Sequence, residues 1–444
     1  MKKQDPDKRK SNFEEVNLGY SEEEAIKEAE RCLQCPSPSC TQGCPVNIDI
    51  PLFINHIKNK EHQKAIQEIK KTNNLPGICG RVCPQEEQCE IKCIIKKNPI
   101  KIGYLERFAA DQEQIKDHLK SQNQNNKNKK IAIIGSGPSS LTCASDLALK
   151  GYNVTIYEAL HDTGGVLRYG IPEFRLPKNI VDQEVEYIKK LGVEIKKNFV
   201  IGNTLSLEDL KQEYNAIFIG VGAGLPNFLK IEGETLPGVY SANEFLTRIN
   251  LMKAYDFPNN QTPIKKEKQI VVIGGGNVAI DAARSAKRLG SDVTLIYRRG
   301  IEEMPARDEE IEHAKEEEIN FELLTNPIKI NGTEKVESIE VIKMQLTEPD
   351  ESGRRSPVQI EGSEFQIPCQ QVIVAIGQNP NPLLVKKTNL DQNEWGYLIV
   401  NEQMQTSDPK IFAGGDIIGG NATVIKAMGN GKIAAKAIDE QLNR

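Results

Sequence analysis

The fold is decided by the stretch IAIIGSGPSSL, residues 131–141. A short apolar run, typical of a buried strand, ends at a glycine-rich turn that opens a helix. In a dinucleotide-binding unit, Gly135 would allow the tight turn and Gly137 would let the backbone approach a pyrophosphate. The next apolar strand ends at Glu158, about 20 residues beyond the glycines, where a carboxylate can bind ribose hydroxyls. The stretch therefore predicts a dinucleotide-binding βαβ unit.

The same pattern returns as IVVIGGGNVA at residues 270–279, followed by a second apolar strand at 293–297. This indicates an internal duplication of one nucleotide-binding unit. Where the first unit has Glu158, the second has a tyrosine followed by Arg298 and Arg299. Guanidinium groups bind a 2′-phosphate that a carboxylate would repel. The second unit is therefore predicted to bind NADPH rather than NADH; the alternative is an exposed basic turn.

Length and charge limit the class of protein. The 444 residues suffice for two or three domains. The net charge of −5 and the lack of a basic block imply neither nucleic acid nor an anionic membrane surface as a partner. No apolar run reaches the ~18 residues of a membrane helix, and the lysine- and acid-rich N-terminus does not resemble a signal peptide. We therefore expect a cytoplasmic protein.

Eight of the ten cysteines fall in two runs, at residues 32–44 and 79–93. The first run, Cys-x2-Cys-x4-Cys-x3-Cys-Pro, is close to the bacterial ferredoxin type, whose fourth cysteine serves the other cluster. Zinc is the alternative, although two zinc sites would usually show two Cys-x2-Cys pairs each, and only Cys32 and Cys35 fit that spacing. The pattern indicates iron–sulfur centres. Cys143 and Cys369 have no such partner and are predicted to be core residues.

Four further segments complete the predicted organisation. Residues 54–71 have the periodicity of one packing helix, and the polar segment 111–130 predicts a solvated linker after a helical cysteine domain. The charged segment 302–318 is interpreted as a helix with a solvated acidic face. The strand before Gly415 and Asp416 precedes an apolar helix opened by Thr423 and Val424, where an aspartate and a helix start can face a flavin.

These features together resemble the small (β) subunit of NADPH-dependent glutamate synthase and its relatives. Those relatives include the large subunit of NADH-dependent ferredoxin:NADP oxidoreductase and the N-terminal half of dihydropyrimidine dehydrogenase. The resemblance covers nearly the whole chain. It rests on CGRVCPQ at 79–85, GIP at 170–172, FRLP at 174–177, GGNVA at 275–279, MPAR at 304–307 and AMG at 427–429.

The resemblance implies an α/β fold with two nested dinucleotide-binding (Rossmann-like) domains, preceded by a small helical iron–sulfur domain. The implied parts are a helical domain with two [4Fe–4S] clusters at 1–120, a linker at 121–130, an FAD-binding domain at 131–255 and 379–444, and an NADPH-binding domain at 256–378.

The resemblance also implies ligand residues, by matching positions. For FAD they are Gly135, Gly137, Pro138, Ser139, Glu158, Gly164, Gly165, Val166, Leu167, Arg175, Gly222, Gly415, Asp416, Thr423 and Val424. For NADPH they are Gly274, Gly275, Gly276, Asn277, Val278, Ala279, Arg298, Arg299, Ala375, Ile376 and Gly377. For one cluster they are Cys32, Cys35, Cys40 and Cys93. For the other they are Cys44, Cys83 and Cys89, with Glu106 as the fourth ligand and Cys79 as its rival.

The function expected from these calls is electron transfer, with no catalytic acid–base residue, because FAD and the clusters supply the chemistry. We predict an NADPH-dependent flavin/iron–sulfur oxidoreductase that exchanges electrons with a ferredoxin-like protein, a partner subunit or a small molecule. It would act alone or as a homo- or hetero-oligomer. The alternatives are the electron-input subunit of a glutamate synthase or an electron-bifurcating complex, and a non-catalytic cluster scaffold.

Overall fold

A computed structural model describes residues 2–113, 128–350, 355–420 and 423–443. Most of the predicted linker at 121–130 lies outside these ranges. None of the described helices is long and apolar enough to cross a membrane.

The N-terminal part is helical, as predicted. Ser21 caps its second helix, because its side chain accepts from the Glu24 amide while the Glu24 carboxylate accepts from the Ser21 amide. The single helix predicted at 54–71 is wrong: the chain turns at 59–61, where Lys60 has a φ of 60°. The two helices that replace it each bury an apolar stripe, so their combined pattern resembles one longer helix. The helices of this part are Pro6–Arg9, Glu22–Glu30, Ser39–Gln42, Ile50–Lys58, His62–Lys70, Pro76–Val82 and Ile102–Asp111, with a 3₁₀ turn at Gln85–Glu87.

The first nucleotide-binding domain is built on a parallel five-stranded sheet. Its strands, in spatial order, are Ile411–Ala413, Ala216–Ile219, Lys130–Ile134, Asn153–Glu158 and Glu194–Lys197. Its helices are Pro138–Leu149, Val166–Tyr169, Lys178–Lys190, Leu207–Glu213 and Val424–Leu442. The edge strand comes from near the end of the chain, so the second domain is inserted into the first. The predicted nesting is confirmed.

The second domain repeats this plan. Its parallel strands, in spatial order, are Val239–Ser241, Gln371–Val374, Gln269–Ile273, Asp292–Tyr297 and Asn320–Leu323. Its helices are Ala242–Asn250, Asn277–Arg288 and Asp308–Glu316. In both domains the strand before the glycines pairs in parallel with the strand after the helix, from Lys130 with Asn153 and from Gln269 with Asp292. The sheet begins at Val239, ahead of the predicted domain start at 256, because the chain enters this domain by pairing with Gln371–Val374.

Two smaller antiparallel sheets were not anticipated. Four strands extend the second domain: Thr325–Asn331, Ser338–Leu346, Pro357–Gln359 and Phe365–Pro368. The strands Ala223–Pro226 and Gln378–Pro380 pair where the chain passes between the two domains. Short 3₁₀ turns lie at Ala254–Asp256, Ile301–Glu303 and Asp416–Ile418, and a short helix lies at Pro382–Val385.

The cysteine domain and the first nucleotide-binding domain share one apolar core. Fully buried side chains of the former, such as Phe53 and Ile57, belong to the same cluster as Leu141 and Met428 of the latter. Gly77 donates its amide to Glu184, at 2.8 Å. The two domains are therefore packed together on both sides of the linker rather than simply tethered by it.

The acidic segment 302–318 is not simply a solvated face. Glu310 and Glu317 are almost fully buried, with side-chain exposures of 5% and 0%. Glu317 accepts from Arg9, Arg284 and Arg288 at 2.6–2.9 Å. Burial opposes ionisation, but Arg284 and Arg288 outweigh it and hold the pKa of Glu317 well below its usual range. The arginines lie elsewhere in the chain, so the periodicity of the segment could not reveal them.

Candidate functional site

The first glycine turn has the geometry of a phosphate cradle. Gly135 has a φ of 92°, and a Cβ atom there would lie 2.6 Å from the Gly220 carbonyl oxygen. Gly137 is the N-cap of helix Pro138–Leu149 and supplies no side-chain cap. A Cβ on Gly165 would lie 3.0 Å from the Gly137 Cα, so two glycine segments meet at the helix start. The uncapped amides can donate hydrogen bonds to an anionic group such as a pyrophosphate.

Glu158 is fixed beside this turn at the end of its strand. Its Oε2 accepts from the Ser136 amide at 2.9 Å and from Ser136 Oγ at 2.5 Å, while Oε1 accepts from the Leu160 amide at 2.8 Å. Ser136 Oγ in turn accepts from the Gly164 amide at 3.0 Å. The remaining lone pairs of the carboxylate are placed where a ribose hydroxyl can donate to them.

The C-terminal segment closes the same site. Ser139 Oγ donates to the Gly414 carbonyl at 3.2 Å, which joins the first glycine turn to the strand before Asp416. Burial raises the pKa of Asp416 to about 6. Burial, together with the charge of Asp416, raises the pKa of Tyr169 to about 12. Thr423 Oγ1 accepts from the Lys426 amide at 3.4 Å and caps helix Val424–Leu442, which begins at the predicted residue.

Most of the residues assigned to FAD thus lie on elements that meet at one end of the first sheet. Val166 and Leu167 begin the short helix after Gly165, and Gly222 follows strand Ala216–Ile219. Arg175 differs: its Nη1 donates to Asp281 Oδ2 at 2.7 Å and its Nε lies 3.3 Å from a Glu310 oxygen. The contacts of Arg175 therefore join the first domain to the second, and its assignment to FAD stays a prediction.

The second glycine turn borders a cavity of about 640 Å³, within the range of ligand sites in proteins. Ten of the eleven residues assigned to NADPH line it, namely Gly274, Gly275, Gly276, Asn277, Val278, Arg298, Arg299, Ala375, Ile376 and Gly377. Ala279 is fully buried in the helix behind the turn. Gly276 provides no side-chain cap for helix Asn277–Arg288, so its first amides also remain for an anion.

Several lining residues were missed because they come from distant segments. They are Asn227, Asn243, Tyr297, Thr325, Asn326 and Gln378. Of the two arginines, Arg298 is exposed, whereas the Arg299 Nε donates to the Arg355 carbonyl oxygen at 3.2 Å. The cavity therefore offers one freely accessible guanidinium and a second that is partly held.

The eight clustered cysteines divide between two small cavities and one separate site. Cys32, Cys35, Cys40 and Cys93 line the first cavity, among apolar side chains. Cys44, Cys83 and Cys89 line the second cavity together with Glu106. The grouping is the one that the family resemblance implies, and each set offers four soft or anionic donors in apolar surroundings, as a cubane cluster requires. Within the described ranges, no three His, Cys, Asp or Glu side chains are grouped to hold a single metal ion.

Glu106 and Cys79 both lie beside Cys83 and Asn73, but only Glu106 lines the second cavity. Glu106 is 5% exposed, and its Oε1 accepts from Asn73 Nδ2 at 2.6 Å. Burial raises the pKa of Glu106 to about 8, a shift that a bound cation would reverse. Cys79 lines neither cavity; its Sγ lies 3.7 Å from Asn73 Oδ1 and 3.5 Å from Met428 Sδ. Glu106 as the fourth ligand of the second cluster therefore stays a prediction, with Cys79 as its rival.

Comparison with known proteins gives two family matches. Residues 110–431 match the pyridine nucleotide-disulphide oxidoreductase family, and residues 9–118 match dihydropyrimidine dehydrogenase domain II, 4Fe-4S cluster. The relatives include the following two proteins of Escherichia coli. The putative oxidoreductase AegA is 37% identical over 99% of this chain and 69% of its own. The glutamate synthase [NADPH] small chain is 34% identical over 97% and 94%.

A solved structure confirms the fold of the nucleotide-binding part. Mycobacterium tuberculosis FprA in complex with NADPH has a TM-score of 0.59 and 22% identity, over 71% of this chain and 85% of that one. The helical cysteine domain precedes this shared α/β architecture, as the sequence predicted.

Proposed function

Because the chain belongs to the pyridine nucleotide-disulphide oxidoreductase family, in the group of the glutamate synthase small chains, we propose that it passes electrons from NADPH through FAD and two [4Fe–4S] clusters to a one-electron acceptor. Bound FAD would accept a hydride and release single electrons. The observation that carries the proposal is the continuity of the sites. Ile425, at the start of the C-terminal helix, lines the second cysteine cavity, while Ile50 and Ile102 line both cavities.

In this proposal the flavin site, the second cysteine cavity and the first cysteine cavity follow one another from the interior of the protein to its surface. Gln88 Nε2 lies 3.4 Å from Thr423 Oγ1, so the second cysteine cavity adjoins the segment assigned to the flavin. Cys44, Cys83 and Cys89 are buried, whereas the cysteines of the first cavity are half-buried. The first cavity is therefore the exit point for electrons in this proposal.

The surface beside the first cavity suits a protein acceptor. Leu33, Ile91 and Ile94 are 64%, 55% and 56% exposed, and Lys96 and Lys97 are exposed nearby. Exposed apolar residues with lysines beside them favour an acidic electron carrier or partner subunit. This exposed patch also favours the second candidate function, the electron-input subunit of a larger complex.

Ile91→Glu should slow the reduction of an acidic ferredoxin-type carrier about tenfold, because a charge replaces an apolar contact. Reduction of a small dye should not change. Ile360→Glu, at a 41% exposed position in the second domain, is the control. Equal loss with the dye and the carrier would show that the substitution damages the protein rather than a docking surface.

Arg298→Glu should raise the KM for NADPH about ten- to hundredfold, since a charged hydrogen bond to a 2′-phosphate contributes roughly 1.5–3 kcal/mol. The KM for NADH should change far less. Arg248→Glu is the matched control, because Arg248 lies in the same domain and its guanidinium pairs with Glu244. Steady-state kinetics with a dye acceptor test the prediction, and equal loss with both nucleotides would contradict it.

A further inference from the structure

The second nucleotide-binding domain forms hydrogen bonds with the loop between Cys83 and Cys89, which borders the second cysteine cavity. Arg307, just before helix Asp308–Glu316, has a side chain that is 7% exposed. Its Nε donates to Glu86 Oε1 at 2.9 Å and its Nη2 to Glu86 Oε2 at 3.2 Å. This bidentate geometry fixes the orientation of the two side chains as well as the distance between them. Tyr104 adds a second contact by donating to Glu309 at 2.8 Å.

The backbone of Arg307 contacts a residue that lines the nucleotide cavity. Its backbone amide donates to Asn277 Oδ1 at 3.1 Å. Asn277 is the first residue of helix Asn277–Arg288 and lines the cavity, as does Pro305. A ligand phosphate at the start of this helix would lie beside Asn277, whose side chain accepts the hydrogen bond from the Arg307 amide.

Glu86 lies in the loop that contains two of the proposed cluster ligands, Cys83 and Cys89. It lies in the 3₁₀ turn Gln85–Glu87, between Cys83 and Cys89. Gln85 lines the second cysteine cavity, donates to the Cys79 carbonyl at 3.0 Å and lies 3.4 Å from Arg307 Nη2. One residue therefore connects the nucleotide cavity to the second cysteine cavity.

We propose that Arg307 is a positioning residue that couples nucleotide occupancy to the second cluster through Glu86. The inference rests on the proposed function and adds a regulatory link to it. Linkage is reciprocal, so a nucleotide that shifts the reduction potential of the cluster must bind the oxidised and reduced protein with different affinities.

Potentiometric titration of the cluster signals by electron paramagnetic resonance, with and without adenosine 2′,5′-bisphosphate, tests the link. This probe carries a 5′-phosphate and a 2′-phosphate but cannot accept a hydride. In the wild type we expect a threefold or larger difference in its Kd between the two redox states, or about 28 mV at 59 mV per tenfold. In Glu86→Gln the shift should fall to less than half, while Glu87→Gln, at the exposed neighbour, should keep it.

A wild-type protein that binds the probe and holds both clusters, yet shows no shift, would overturn the coupling alone. So would a Glu86→Gln protein that keeps the full shift. Arg307→Lys retains the charge but not the bidentate geometry, so it should reduce the shift of the cluster potential while the iron content stays unchanged. A chain with no cluster signal, or with no affinity for the probe, would overturn the proposed function and this inference with it.

Discussion

Replacing Glu106 with alanine should remove or alter one of the two proposed clusters, whereas Cys79→Ala should leave both in place. Glu106 lines the cavity of Cys44, Cys83 and Cys89, whereas the Cys79 thiol does not line it and lies between Cys83 and Met428. A carboxylate on an iron otherwise held by thiolates changes its charge and donor strength, both of which control cluster potential.

Iron analysis and electron paramagnetic resonance on the two variants test this expectation. The wild type should hold about eight iron atoms per chain, and Glu106→Ala should fall toward about four or show one altered signal. Cys79→Ala serves as the matched control, because it also shortens a buried side chain near Asn73. The assignment is falsified if Cys79→Ala loses a cluster while Glu106→Ala keeps both with unchanged spectra.

Glu317→Gln should lower the free energy of unfolding by about 3–5 kcal/mol, the usual cost of breaking a buried ion pair from one side. The substitution keeps the shape of the side chain but leaves Arg9, Arg284 and Arg288 without their common carboxylate. Because the folded pKa of Glu317 is depressed, its contribution is fully present above the ordinary carboxylate pKa of about 4.3 and is lost as the pH falls toward the folded value.

Urea denaturation at neutral pH measures this effect. Glu316→Gln is the control, since Glu316 also pairs with Arg9 but is 43% exposed, and an exposed pair contributes about 1 kcal/mol or less. Similar losses in both variants would show that the buried network contributes no more than a surface pair.

The sequence was most informative where function depends on neighbouring residues. The glycine turns, Glu158 and the arginines after the second strand follow from local spacing, and the structure brings each to the end of its sheet. The assignment of the cysteines to two iron–sulfur clusters needed the family resemblance, because their spacing alone was also compatible with zinc sites.

The spacing of residues along the chain does not reveal contacts between distant segments. The family resemblance implies Arg175 as an FAD ligand, and its ion pairs with Asp281 and Glu310 of the other domain could not be predicted from its motif. Glu317 belongs to a charged run whose burial is decided by arginines of another helix and of the N-terminus. Such partners are chosen by the tertiary fold, which periodicity does not describe.

Electron transfer from NADPH through the flavin to the clusters is tested by mixing the purified protein with NADPH without oxygen and following absorbance and electron paramagnetic resonance. This electron-transfer route predicts that a flavin band near roughly 450 nm bleaches and that a reduced-cluster signal follows, in protein with about eight iron atoms per chain. A chain whose flavin does not bleach with NADPH, or bleaches while no cluster signal develops even with a stronger reductant, would contradict it.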